Sequence, residues 1–164
     1  MAATVEWCEY NGAAGSETVG ISNVNFGSTD APNIDPSQYP IRRGTNSYDK
    51  WLKIKFSGDF NKVYNFKLWR SDGAGGSGPA MPTGIAMVGE VGYAEDLTYT
   101  QPGTSSIGDY DVPNTEAGAF LVGPSEGLTG AGYTYYMHLQ LKTQETASTG
   151  STPTWYLTFQ WDEE

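Results

Sequence analysis

Residues 123–127, Gly-Pro-Ser-Glu-Gly, match the G-x-S-x-G pattern of a nucleophilic serine. That pattern works when the serine sits on a sharp turn between a strand and a helix, with a histidine nearby as base. Here the sequence continues Leu-Thr-Gly-Ala-Gly-Tyr, which does not favour a helix, and His138 is the only histidine in the chain. We therefore interpret the match as a consequence of the many glycines rather than as a catalytic elbow.

A second glycine pattern, G-x-G-x-x-G, occurs at Gly73, Gly75 and Gly78. Its usual function is to bring phosphate groups to the N-terminus of a helix. Pro79 and Pro82 stand where that helix would begin, so the sequence predicts a loop without a phosphate site.

Side chains that could bind a metal are few. His138 and Cys8 are single and far apart in sequence, which disfavours a transition-metal site. Two acidic stretches, residues 30–35 and 109–111, could offer oxygens to calcium, but neither has EF-hand spacing. No pair of carboxylates stands out for glycoside hydrolysis. We expect no catalytic residue, cofactor or metal, with calcium in these loops as the alternative.

Composition points to a single all-β domain spanning residues 1–164. Eleven Tyr, six Phe and five Trp provide bulk that suits pleated sheets, and no long window shows helical spacing. Cys8, the only cysteine, excludes an intrachain disulfide. The first ten residues lack the pattern of a signal peptide, and no apolar run is long enough to span a membrane. These features predict a chain made in a cytoplasm, without membrane contact.

The clearest strand pattern lies between Ser47 and Ser71. Apolar residues alternate with lysines and other residues on both sides of the polar stretch 57–61, which predicts a β-hairpin. Residues 133–142 and 154–161 alternate in the same way, and we expect them to pair as a second hairpin. The predicted core consists of Leu52, Ile54, Phe56, Phe66, Leu68, Met137, Leu139, Leu141, Leu157 and Phe159.

About eight strands with long connections favour an antiparallel β-sandwich, with a jelly roll as the narrower possibility. The connections at 28–44, 71–84 and 100–118 are rich in Gly, Pro, Ser or Asp. Loops of this length usually carry a function or become ordered on a partner. We expect the last two to be mobile.

Charge is distributed unevenly. The net charge is −10, yet residues 42–70 hold eight of the nine basic and two of the nineteen acidic residues, a charge of +6 that leaves −16 elsewhere. This polarity favours docking against a partner of defined charge, and the acidic remainder disfavours nucleic acid. The alternative is that the lysines keep an exposed sheet face soluble. The candidate contact residues are Arg42, Arg43, Trp51, Lys53, Lys55, Lys67 and Trp69.

Several stretches resemble a family of small structural proteins of tailed bacteriophages. They are NFGSTDAPN, YPIRRGTNSYDKW, KFSGDFN, FKLWRSDG, GYTYYMHLQLK and FQWDE, strongest at 25–72 and 132–163. The resemblance implies a capsid decoration (cement) protein on the outer surface of the virion. Its partner would be the major capsid protein, and it would form a homo-oligomer, with a trimer favoured. The alternatives are a tail or fibre component and a carbohydrate-binding module that uses exposed Trp51 and Trp69.

Overall fold

The computed structural model describes residues 2–108, 110–150 and 152–164. Its strands are β1 (Thr4–Asn11), β2 (Ser16–Val19), β3 (Lys50–Ser57), β4 (Val63–Ser71), β5 (Ile85–Val91), β6 (Tyr110–Asp111), β7 (Phe120–Leu121), β8 (Gly132–Tyr133), β9 (Met137–Thr143) and β10 (Tyr156–Glu163). Within this part of the chain the only helical segment is one 3₁₀ turn, Glu116–Gly118. A membrane-spanning helix is not found among these residues.

The strands form two antiparallel sheets, which confirms the predicted all-β sandwich. The larger sheet has seven strands in the order β2-β1-β3-β9-β5-β6, with β8 also paired to β3. The smaller sheet has three, in the order β10-β4-β7. This unequal division differs from the eight strands of a jelly roll. Because three strands cannot cover seven, part of the larger sheet is covered by loops.

Both predicted hairpins are wrong, although their strands are correct. β3 and β4 are consecutive but lie in opposite sheets, and so do β9 and β10. Instead, β3 pairs with β9 and β4 pairs with β10. The turn after β3 therefore carries the chain across the sandwich. Both strands bury their apolar faces in this arrangement, whereas a flat hairpin would leave those faces side by side.

The core lies between the sheets. Of the ten predicted core residues, eight are buried, while Leu157 and Phe159 on β10 are half-buried. The aromatic rings of Phe56 and Phe66 join the two sheets, with centroids 5.5 Å apart. The two exceptions follow from position, because β10 is the outermost strand of the smaller sheet.

Two irregularities change which side chains face inward. Asn65 has a φ of 57° and lies opposite a register shift in β10, so Val63 rather than Tyr64 is fully buried. Between β8 and β9 the chain gains one residue relative to β3. Tyr133 therefore faces away from the core, although simple alternation places it with Met137.

Candidate functional site

The outer face of the larger sheet carries a row of polar and aromatic side chains across five strands. The register places Glu17, Tyr10, Trp51, His138 and Glu90 side by side, from β2 to β5. Trp51 and His138 each lie next to a core residue in their strands, so their side chains point to the opposite face of the sheet. This row, together with Asp49 just before β3, brings several titratable side chains close together.

His138 lies at the centre of the row and is 6% exposed. Its ring is stacked on the indole of Trp51, with centroids 4.0 Å apart and planes inclined by 19°. Its Nε2 is 2.5 Å from Asp49 Oδ2, and its Nδ1 is 3.1 Å from Glu90 Oε2. Both ring nitrogens therefore face carboxylate oxygens, and a ring nitrogen that carries a hydrogen donates to the carboxylate that it faces.

Asp49 gathers three donors around one buried carboxylate. Besides His138, Trp51 Nε1 donates to Oδ2 over 3.0 Å and the backbone N–H of Gly103 donates to Oδ1 over 2.5 Å. Burial alone would raise the pKa of Asp49, but the hydrogen bonds from His138 and Gly103 outweigh it and hold the pKa below its ordinary value of 3.8. The side chain is therefore fixed as a carboxylate.

These residues hold a long connection, which we call the covering loop (residues 92–108), against the sheet. Gln140 donates to the carbonyl of Ser105 over 2.9 Å and accepts from the N–H of Ile107 over 3.2 Å. The N–H of Gly108 donates to Glu90 Oε1 over 3.1 Å. With Gly103 bound to Asp49, the loop is anchored at several points along its length. These hydrogen bonds disfavour the expected mobility of residues 100–118 over this part of the loop.

The covering loop also explains the burial of Trp51. Tyr99 from the loop and Tyr136 from the segment before β9 both meet the indole edge-on, with centroids 5.3 Å away. As a result Trp51 is only 3% exposed. It belongs to a second, smaller cluster outside the main core. The expectation that Trp51 is an exposed platform for sugar rings is wrong.

Lys53 and Lys55 follow Trp51 on the same outer face. Lys53 forms an ion pair with Asp96 of the covering loop, and its ammonium lies 4.0 Å from the ring centroid of Tyr136. Lys55 is half-buried and lies between Glu6 on β1 and Tyr133 on β8. Lys53 thus helps to hold the covering loop, which makes it a poor contact for an outside partner.

Lys67 and Trp69 lie on the other side of the molecule. They belong to β4, and their side chains lie on the outer face of the smaller sheet. Lys67 pairs with Glu116 over 3.1 Å, and Trp69 is 4% exposed. The assumption behind the predicted contact face, that these residues stand beside Lys53, is wrong because the predicted hairpin is split between two sheets.

Arg42 and Arg43 are exposed, and neither forms an ion pair within the described part of the chain. Both line a cleft of about 1130 Å³ at one end of the sandwich. Its walls include inward-facing residues of the larger sheet, such as Met87 and Leu141, and the start of β10. Of the predicted contact residues, these two arginines remain most available to a partner.

The loop residues considered for calcium accept hydrogen bonds from the chain itself. Asp30 accepts from Asn11 and from the N–H of Gly12, over 2.7 and 2.8 Å. Asn33 and Asp35 accept from backbone N–H groups nearby. Three-residue groups of metal-ligating side chains are not found among the described residues. In the other acidic stretch, residue 109 lies outside the described residues.

Ser125 of the G-x-S-x-G match lies in a tight turn, closed by a 2.9 Å hydrogen bond from the N–H of Gly127 to the carbonyl of Pro124. The chain then runs to Leu128, which pairs with Val63. Within the described residues no helix follows Ser125, so the strand-turn-helix context that the pattern requires is not found there.

Sequence reasoning missed the group formed by Asp49, Glu90 and His138. Asp49 precedes β3, Glu90 lies on β5 and His138 lies on β9. His138 is 48 positions from Glu90 and 89 positions from Asp49 in the sequence. The signal in the sequence was weak, because Leu97, Tyr99 and Ile107 are half-buried in the covering loop while Tyr93 and most of its other residues are exposed.

No protein-family model matches this chain, and neither a curated protein nor a solved structure matches it.

Proposed function

We propose that the chain is a non-catalytic structural protein of a tailed-phage particle, attached to the outer surface of the capsid shell. The observation that carries the proposal is that the ionisable side chains of the row bind the covering loop to the sheet. Asp49 and Glu90 accept hydrogen bonds from the covering loop, and His138 lies between these two carboxylates. Lys53 forms an ion pair with Asp96 of the same loop. A domain that uses its ionisable side chains in this way suits permanent adhesion. The sequence stretches that resemble phage structural proteins also support the proposal.

A protein that adheres to a shell needs exposed side chains whose burial in the contact is favourable. Two tyrosines meet this requirement near the edge of the larger sheet at which β6 pairs with β5. Tyr93 follows β5 and is 64% exposed, and Tyr110 lies in β6 and is 74% exposed. Tyrosine is favoured in protein interfaces because it buries a large ring and keeps a polar tip. We assign this side of the sandwich to contact with the major capsid protein.

Such attachment stabilises the assembled shell by mass action, since the protein binds the shell and not its separated subunits. The experiment is an add-back assay, in which particles stripped of this protein are incubated with purified chain and the bound copies are counted. Tyr93→Ser combined with Tyr110→Ser should lower occupancy at a given concentration. Tyr39→Ser, which alters an exposed tyrosine in a different loop, is the matched control and should leave occupancy unchanged.

If the unaltered chain does not return to stripped particles, the proposed attachment is wrong. If the double variant and the control bind equally, the attachment stands and the contact side is wrong. Circular dichroism of each variant establishes that the domain remains folded.

A further inference from the structure

The two sheets end in four edge strands of unequal length. β2 has four residues, while β6 and β7 have two each. β10 has eight. An edge strand offers unpaired N–H and C=O groups to other chains, and proteins usually limit this with short strands, charges or proline. Three edges of this protein are short, so β10 is the exception.

The sequence of β10 does little to protect its edge. Residues 156–161, Tyr-Leu-Thr-Phe-Gln-Trp, contain no charge and no proline. Within the described residues, the backbone groups of 154–161 bond to no segment other than β4. The free side of β10 is therefore a continuous row of donors and acceptors.

The space beside the start of β10 is the cleft of about 1130 Å³ described above. Trp7, Ile85 and Leu157 line it and are only half-buried. Trp155 also lines it, and its indole Nε1 is buried without a hydrogen-bond partner among the described residues. At this edge the sandwich lacks a strand on its smaller side.

We propose that β10 pairs with β10 of a second copy of this chain, antiparallel and across a two-fold axis. The charges at the two ends of the strand support this occupant. β10 ends in Asp162 and Glu163 and is followed by Glu164, whereas its start lines the same cleft as Arg42 and Arg43. Antiparallel pairing brings the acidic end of each copy beside the basic cleft of the other, twice by symmetry.

This pairing assigns Arg42 and Arg43 to a contact between copies rather than to the shell. It joins the two small sheets into one sheet of six strands. It is two-fold, unlike the trimer that the resemblance implies. It concerns the isolated protein and does not depend on the proposed function.

The experiment is sedimentation velocity of the purified full chain over a range of concentrations. We expect a dimer that dissociates on dilution, and more readily at high salt. Thr158→Lys with Gln160→Lys places like charges opposite each other near the two-fold axis, and should raise the dimer Kd by about tenfold or more. Thr18→Lys, on the short edge strand β2, is the matched control and should leave the Kd unchanged.

A charge exchange tests the complementarity separately. Arg42→Glu with Arg43→Glu should weaken the dimer, as should Glu163→Lys with Glu164→Lys, and the combination of all four should restore it. A monomer at every concentration would overturn the proposal. So would an oligomer that the β10 substitutions leave unchanged, provided that circular dichroism shows the variants to be folded.

Discussion

The imidazole of His138 lies flat on the indole of Trp51, with ring centroids 4.0 Å apart, and this contact fixes both edges of the imidazole at once. Because the ring cannot tilt, its two nitrogens point at Asp49 and Glu90. Both carboxylates also accept from the covering loop, at Gly103 and Gly108. One stacked pair thus connects the outer face of the larger sheet to the loop that covers it.

Replacing His138 with Phe should keep the stacking and remove both hydrogen bonds. The buried Asp49 would lose its strongest donor, and we expect the free energy of unfolding to fall by about 2–4 kcal/mol. Urea denaturation measures this change. Glu90→Gln is the control, because the Glu90 side chain is 42% exposed, and it should cost less than about 1 kcal/mol. If Glu90→Gln lowered the free energy of unfolding as much as His138→Phe, Asp49 would not be the main partner of His138.

The lowered pKa of Asp49 predicts a pH dependence of stability. A carboxyl whose folded pKa is depressed contributes stability above its unfolded pKa and loses it as the pH falls through the folded value. We therefore expect the difference in unfolding free energy between the unaltered chain and Asp49→Asn to be largest near neutral pH. The difference should narrow below the ordinary pKa of 3.8. A difference that widens towards acid pH would show that the carboxylate is not the stabilising form.

Glu9 and Lys50 form a buried ion pair, with 2.6 Å between Lys50 Nζ and Glu9 Oε1. The Glu9 side chain is 0% exposed and the Lys50 side chain is 4% exposed. Removing one partner leaves a buried charge, so Lys50→Met should cost about 3–5 kcal/mol. Combining it with Glu9→Gln should recover much of that loss. A double-mutant cycle by chemical denaturation measures the coupling, and strictly additive losses would contradict a paired interaction.

Core truncation should depend on position in the sandwich. Phe56 and Leu139 are fully buried, and their replacement by Ala should each cost on the order of 3 kcal/mol. Leu157→Ala is the matched control on the half-buried edge strand and should cost clearly less. Thermal or urea unfolding gives the comparison, and a Leu157 loss as large as that at Leu139 would show that the edge is more deeply packed.

Cys8 should be chemically silent in the folded protein. It is fully buried, and burial together with nearby Glu17 raises the pKa of its thiol to about 11. Since the thiolate is the reactive form, a thiol reagent at pH 8 should react slowly with the native chain and rapidly in denaturant. Fast reaction of the native chain would mean that β1 opens at the sheet face.

Period-two alternation was sufficient to predict the long strands from sequence, because facing a core on one side is a local property. Leu52, Ile54 and Phe56 are buried as that pattern predicts. Pairing is not local. A strand such as β3 can bury the same face beside β4 or across the sandwich from it, and alternation cannot distinguish the two arrangements.

The candidate site was harder to predict for a related reason. The lysines beside Trp51 indicate a solvated face, but whether a face is solvated depends on what covers it. Here the cover comes from residues 92–108, whose anchors are Asp49, Glu90 and Gln140 on three different segments. Bulges at Asn65 and before Met137 likewise depend on the partner strands.

The most direct test of the proposed function is a cryo-EM map of the parent phage particle, at a resolution that traces individual chains. The proposal predicts this sandwich on the outer surface of the shell, at repeating lattice positions, with the side bearing Tyr93 and Tyr110 against the major capsid protein. A map that places the chain in the tail, in the fibres or inside the shell, or that contains no copy of it, would contradict the proposal.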